Sequence, residues 1–263
     1  MYPTLFYLWK LPIRAYGVML VIGFLIAAWR AQRISKRYGF TPESTMDAAL
    51  VCLICGLIGA RIGFILANWS SFSGNLSEIF RIWSGGLSFH GGLAAGLLGG
   101  LIYARIKKLP IWNGMDMFAP SIVFAYAFGR IGCFLNGCCY GSPTTLPWGV
   151  KFPDEQFPGM LTRPSHPAQL YSTLINLVLF VLLIRLEKRR KFCGQIFAVF
   201  LMLHGIYRFG VEFIRAGATS RYAFEWVTDG HIAAFIVFLV GLTIYWLQSS
   251  KGRIEDEPEL VKS

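Results

Sequence analysis

Charge is scarce in this chain of 263 residues: 15% are Asp, Glu, Lys or Arg, while 55% are hydrophobic. That balance excludes an ordinary soluble domain, in which about 25% of residues are charged. Acidic residues are rarer than basic ones, 14 against 25, and histidine occurs four times. No tandem repeat is present, nor an inverted repeat of the kind that builds many transporters. No Cys/His spacing matches a zinc pattern, so no metal is expected, and no other cofactor is called for. The apolar spans lack the paired aspartates or evident serine motif of an intramembrane protease. The first of them lacks a basic leading region and a small-residue cleavage site, and reads as a retained helix.

Long apolar runs take the place of charge. A bilayer core takes about 20 mostly apolar residues per helix, and seven stretches qualify: 15 to 30, 47 to 67, 86 to 104, 114 to 134, 168 to 186, 194 to 214 and 231 to 248. The fold class is therefore all-α, a polytopic integral membrane protein with about seven transmembrane helices. Basic residues are retained on the cytoplasmic side. Arg30, Arg33, Lys36 and Arg37 follow the first span, Arg105, Lys107 and Lys108 the third, Arg185 and Lys188 to Lys191 the fifth, and Lys251, Arg253 and Lys262 the seventh. The alternate connections are poorer in positive charge, with Arg81, Lys151 and Arg163. This places the N-terminus outside and the C-terminus in the cytoplasm. It also spreads the net charge of +11 over cytoplasmic loops, which argues against a nucleic-acid footprint. Residues 1–250 read as one transmembrane helical domain. Within it lies an extracytoplasmic insertion at about 138–167, rich in proline and carrying Trp148, Phe152 and Phe157. Residues 251–263 read as a polar, disordered cytoplasmic tail.

Against that background the informative residues are polar ones at membrane depth, which are costly and mark sites. Arg130 ends an apolar run inside Gly129-Arg130-Ile131-Gly132-Cys133-Phe134-Leu135-Asn136-Gly137. The sixth span carries His204, Arg208, Glu212 and Arg215, which fall within roughly 80° of one another on a helix and form one polar stripe facing the bundle interior. Arg208 and Glu212, one turn apart, could close a structural salt bridge. Arg130 and Arg215 then remain without an obvious carboxylate, an imbalance that suits an anionic ligand. With the topology above, Tyr16, Arg61, His90 and Arg130 all fall toward the outer half and could converge on one outward-facing site. His90 stands among Gly85, Gly86, Gly91 and Gly92, and an imidazole there is a candidate general base or substrate-orienting donor. Gly92, Gly96 and Gly100 continue at the four-residue spacing of tight helix packing.

The cysteines divide by depth. Cys52 and Cys55 lie in the cytoplasmic half of an apolar span, where they read as small hydrophobes. Cys133, with Cys138 or Cys139, could form a disulfide or bind metal on the oxidising side.

Four elements in order resemble the bacterial prolipoprotein diacylglyceryl transferases: Ser88-Phe89-His90-Gly91-Gly92, the signature from Gly129 to Gly141, the segment Arg163-Pro164-Ser165-His166-Pro167-Ala168-Gln169-Leu170-Tyr171, and the stripe from Arg208 to Glu212. The resemblance covers nearly the whole chain. It implies transfer of the diacylglyceryl group of phosphatidylglycerol to the lipobox cysteine of a preprolipoprotein, with a thioether formed and glycerol phosphate released, at the outer leaflet of the bacterial inner membrane. The implied catalytic residues are His90, Arg130 and Arg208. The implied substrate-binding residues are Tyr16, Arg61, Arg130, Asn136, Gly141, His204, Arg208 and Glu212. Cys133 and Cys138 depart from the commonest signature, which has Asn and Glu there, and His204 stands where a tyrosine is more usual. Arginine suits a phosphate leaving group because it stays charged and offers a planar fork of donors. The competing readings are a transporter or channel with an outward-facing anion cavity, and a thiol-disulfide enzyme built on the cysteines.

Overall fold

The computed structural model describes residues 1–9, 11–72, 78–79, 85–154, 159–215, 222–224 and 226–252. Arg81, Phe157 and Pro158, and the expected tail beyond residue 252, lie outside the described residues. A short antiparallel hairpin, β1 (Thr4–Leu8) and β2 (Leu11–Arg14), leads into α1 (Ala15–Ile34) and a 3-10 turn (Ser35–Tyr38). Then follow α2 (Pro42–Ala67), α3 (Trp69–Phe72), α4 (Phe89–Ile106), α5 (Ile111–Asn136), α6 (Ala168–Glu187), α7 (Gln195–Arg215) and α8 (Asp229–Ser249).

Each of the seven apolar stretches is a long helix. Six are long and apolar enough to cross a membrane, and α4 is not among them. It is 18 residues long, and its five glycines together with His90 and Arg105 dilute its hydropathy. The helix ends differ from the hydropathy limits where polar residues cap them. α2 starts at Pro42 because Thr41 and Ser44 form a capping box, with proline at the first position where its missing N–H costs nothing. The hairpin is an addition to the all-α expectation. Aromatic and β-branched residues between Pro3 and Pro12 favour strand over helix, and Trp9 turns the chain at φ 59°.

The chain divides into two compact units, residues 1–30 with 115–263, and residues 31–114. In the first, Ala119, Val123, Leu179, Leu183, Ile196, Tyr207 and Val211 from α5, α6 and α7 form the core. Outward, apolar side chains are bare, Leu174 at 66% and Trp246 at 70% exposure, as expected where hydrocarbon replaces water as solvent. Buried Asp116 on α5 accepts N–H bonds from Gly194 (2.8 Å) and Phe197 (2.9 Å) and pairs with Arg190 (3.3 Å), capping the start of α7. The insertion has a small core of its own despite its prolines. Phe152 is fully buried, stacked on Tyr140 at 4.9 Å and edge-on to Phe134 at 6.1 Å.

In the second unit, α2 and α4 meet backbone to backbone. A Cβ on Gly59 would lie 2.1 Å from Ala95 Cβ, and one on Gly91 2.4 Å from Gly59 O. Cys55 and Cys52 fill the space opposite Gly99 and Gly100, so the intramembrane cysteine pair serves as packing. Gly91→Ala is expected to lower the melting temperature in detergent by several degrees, since overpacking costs about 1–3 kcal/mol. Gly210→Ala, with nothing within 4 Å of its added Cβ, is expected to melt no lower than the wild type. Equal melting of the two variants would refute the close approach.

Candidate active site

Arg130 sits one turn after Tyr126 on α5, and both its Nε (3.0 Å) and its Nη2 donate to the Tyr126 hydroxyl. The guanidinium carbon lies 4.9 Å from the Tyr126 ring centroid. Tyr126 meets His204 of α7 edge-on at 5.5 Å, and His204 meets Tyr207 at 5.5 Å. An aromatic wall thus runs from Arg130 to the polar stripe of α7.

On that stripe Arg208 Nη2 donates to Glu212 Oε2 at 3.0 Å. The other carboxylate oxygen, Oε1, accepts from the Thr228 hydroxyl at 2.9 Å. Thr228 is the N-cap of α8, so the Glu212 charge lies at a helix N-terminus, where the dipole favours an anion. Gly230, in the first turn, makes room for it: a Cβ there would lie 2.2 Å from Glu212 Oε1. His231 supports the cap, its Nδ1 accepting from Thr228 N–H at 3.1 Å.

Arg215 lies within electrostatic range of Arg130, Arg208 and Glu212. Arg208 Nη1 and His204 Nδ1 are buried and have no hydrogen-bond partner among the described residues. A buried guanidinium N–H left unmet costs more than an ordinary polar group, and an anion bound there would remove that cost.

The signature after Arg130 builds the floor. Gly132 lets Tyr16 of α1 approach to 3.1 Å of where a Cβ would stand. Gly137, at φ 79°, ends α5. The Arg163 to Tyr171 segment then holds the loop: Gln169 Nε2 donates to Cys138 O (2.7 Å) and Gly141 N–H to His166 O (2.9 Å). Ser142 N–H donates to Ile214 O at 2.7 Å, tying the loop to the end of α7. Gly141 is packed against Ile214 and His166 with no room for a side chain. Asn136 is the last residue of α5, two before Cys138. The Cys139 thiol is held below the ordinary thiol range by the neighbouring Cys133 and then Cys138 thiols, with Arg215 and Arg130 adding to the effect against burial.

Arg61 and His90 belong to the second unit. Arg61 is buried and its donors are engaged by backbone carbonyls: Ile79 (2.9 Å), Gly85 (2.9 Å), Gly86 (3.0 Å) and Glu78 (2.5 Å). Its guanidinium also lies over Phe72 at 5.5 Å and Phe64 at 5.9 Å. His90 is exposed in the first turn of α4 beside Phe89, where Ser88 caps the helix.

Sequence reasoning did not single out Tyr126, Thr228, Gly230 or His231. Tyr126 had a signal, its i−4 spacing from Arg130. The α8 residues had none, because they meet Glu212 through tertiary contact.

Residues 3–247 match the family described as Prolipoprotein diacylglyceryl transferase. The chain is 35% identical over 256 residues to the phosphatidylglycerol–prolipoprotein diacylglyceryl transferase of Nitratidesulfovibrio vulgaris, covering 95% of each chain. It is 35% identical over 254 residues to that of Geobacter sulfurreducens, covering 95% of this chain and 96% of the relative. For the Clostridioides difficile protein of the same name the identity is 33% over 254 residues, with 96% and 98% covered. A match of this length, carried by a polytopic helical chain with an arginine cluster, is not a fragmentary likeness. The chain belongs to the prolipoprotein diacylglyceryl transferase family, the membrane enzymes that move a diacylglyceryl group from phosphatidylglycerol to a prolipoprotein.

Proposed function

We propose that this chain carries out its family's transfer with Arg130 and Arg208 on the phosphate of phosphatidylglycerol and His90 activating or positioning the incoming thiol. The lipobox cysteine sulfur attacks the glyceryl carbon that bears the phosphodiester oxygen. A C–S bond forms and the C–O bond breaks. The thiol proton leaves through a base, and glycerol phosphate departs with the electron pair. A thiol of pKa about 8.5 is a weak nucleophile at neutral pH until deprotonated, and negative charge grows on the leaving phosphate, so the two tasks are thiol activation and phosphate stabilisation.

The observation that carries this reading is the buried Arg208 Nη1, which has no hydrogen-bond partner among the described residues and belongs to an arginine within electrostatic range of Arg215. Glu212 holds Arg208 in place, and His204, Tyr126 and Tyr16 are assigned to the wall along the lipid headgroup. Asn136 and Gly141 are assigned to shaping the loop beside it. Arg61 is assigned to fastening residues 78–79 and 85–86, since their carbonyls engage its fork. The distribution of basic residues supports an N-terminus outside, a C-terminus inside and a site opening to the outer leaflet of the bacterial cytoplasmic membrane. The insertion at 138–167 then lies on the outer side of a single transmembrane domain.

The test is a mass spectrum of a lipobox peptide incubated with detergent-purified protein and phosphatidylglycerol, beside the same peptide with serine for cysteine. A diacylglyceryl mass gain on the cysteine peptide alone is expected. No gain, with another member of the family active in the same detergent, would count against the reading. For the base, His90→Gln is expected to slow single turnover most at neutral pH. A full rate at every pH would remove His90 from the thiol.

A further inference from the structure

Three thiols that the transfer does not use converge at the end of α5. Backbone geometry brings them together. Gly137 donates its N–H to Phe134 O at 3.1 Å and Cys138 donates to Cys133 O at 3.2 Å, the paired bonds of a Schellman motif around a left-handed glycine. In this motif the residue after the glycine packs against the residue five positions before it. Here those two are Cys138 and Cys133. Cys139 then takes φ 65°, a left-handed conformation that favours glycine and that side-chain-bearing residues keep where the surroundings demand it. The result is that all three Sγ atoms lie within 4.8 Å of one another. All three are free thiols, each partly buried.

We infer that Cys133, Cys138 and Cys139 form a three-thiolate site for a thiophilic closed-shell cation, Zn2+ foremost. Zn–S bonds of about 2.3 Å put sulfurs sharing one ion about 4 Å apart, a spacing the three atoms reach within their present cluster. Charge fits as well. Three thiolates and one Zn2+ sum to −1, and Arg130 and Arg215 lie within electrostatic range of Cys139 to offset it. Three protein ligands leave a fourth position for solvent, as open zinc sites do. Binding breaks three S–H bonds and forms three Zn–S bonds, and the three protons pass to solvent. No oxidant is needed. A disulfide would use two of the sulfurs and leave the convergence of the third unexplained. The Cys-x4-Cys-Cys spacing matches no zinc pattern because two ligands are adjacent in sequence, and it is the left-handed Cys139 that turns adjacent side chains to one point.

The experiment uses the full chain, purified in detergent, reduced and stripped with a chelator, then titrated with Zn2+ against a chromophoric competitor. One Zn2+ per chain is expected, with release of up to three protons and at least tenfold weaker binding in each of Cys133→Ser, Cys138→Ser and Cys139→Ser. Cys193→Ser and Cys52→Ser are expected to bind as the wild type does. A second readout needs no variant: Zn2+ is expected to protect these three cysteines from alkylation in the wild-type protein, read by peptide mass. Binding unchanged by all three substitutions would overturn the site, as would alkylation indifferent to Zn2+. So would an unreduced protein two hydrogens lighter that takes up no zinc.

Discussion

Arg130→Lys is expected to lower kcat/KM for phosphatidylglycerol by about 100-fold or more, the loss typical of removing one well-placed donor from a developing oxyanion. Lysine keeps the charge and still fails, because a point charge cannot reproduce the fork. In the protein that fork is fixed: Nε and Nη2 of Arg130 both rest on the Tyr126 hydroxyl, which sets the plane in which the guanidinium faces its ligand. Tyr126→Phe removes the rest without touching the charge, and a smaller loss, on the order of tenfold, is expected because one or two hydrogen bonds to a charged group are lost. Initial rates with lipobox peptide at fixed detergent and varied lipid separate the two. A lysine variant within a few-fold of the wild type would remove the bidentate geometry from the account.

Glu212→Gln is expected to lower both the melting temperature and the turnover. The carboxylate is 1% exposed and is held by Arg208, Thr228 and the first turn of α8. Breaking a buried pair by neutralising one partner costs about 3 kcal/mol or more, because Arg208 keeps its charge and loses its counter-ion. Glutamine preserves the volume, so packing is not the cause. Gly230→Ala reaches the same carboxylate by another route, through a Cβ that would stand 2.2 Å from Oε1, and is expected to melt lower too. Fluorescence-detected melting in one detergent checks both. Wild-type melting and rate in Glu212→Gln would show that the Arg208–Glu212 pair is not what organises the site.

Much of this architecture was legible in the chain because the signals are local. Apolar runs gave the helices, and the i, i+4 spacing of Arg208 and Glu212 anticipated a contact observed at 3.0 Å. Hydropathy alone misplaced helix ends where caps decide them, as at Thr41 before α2. It also missed the hairpin between residues 4 and 14, which is too short for any periodicity to show. Long-range partners were illegible. Nothing in the sequence shows that Thr228 caps Glu212 as well as α8, that Asp116 accepts the amides that open α7, or that Arg61 spends its donors on carbonyls some 17 to 25 residues on. The convergence of Cys133, Cys138 and Cys139 escaped the spacing rules because it depends on two left-handed residues, Gly137 and Cys139.

Arg130 and Arg208 are expected to hold the phosphate. The most direct measurement is the affinity of the purified protein for glycerol phosphate, the leaving group, in the wild type, Arg130→Lys and Arg208→Lys at fixed ionic strength. Saturable binding is expected in the wild type, weakened at least tenfold by each substitution. Equal affinity in all three proteins would place the phosphate elsewhere and contradict the account.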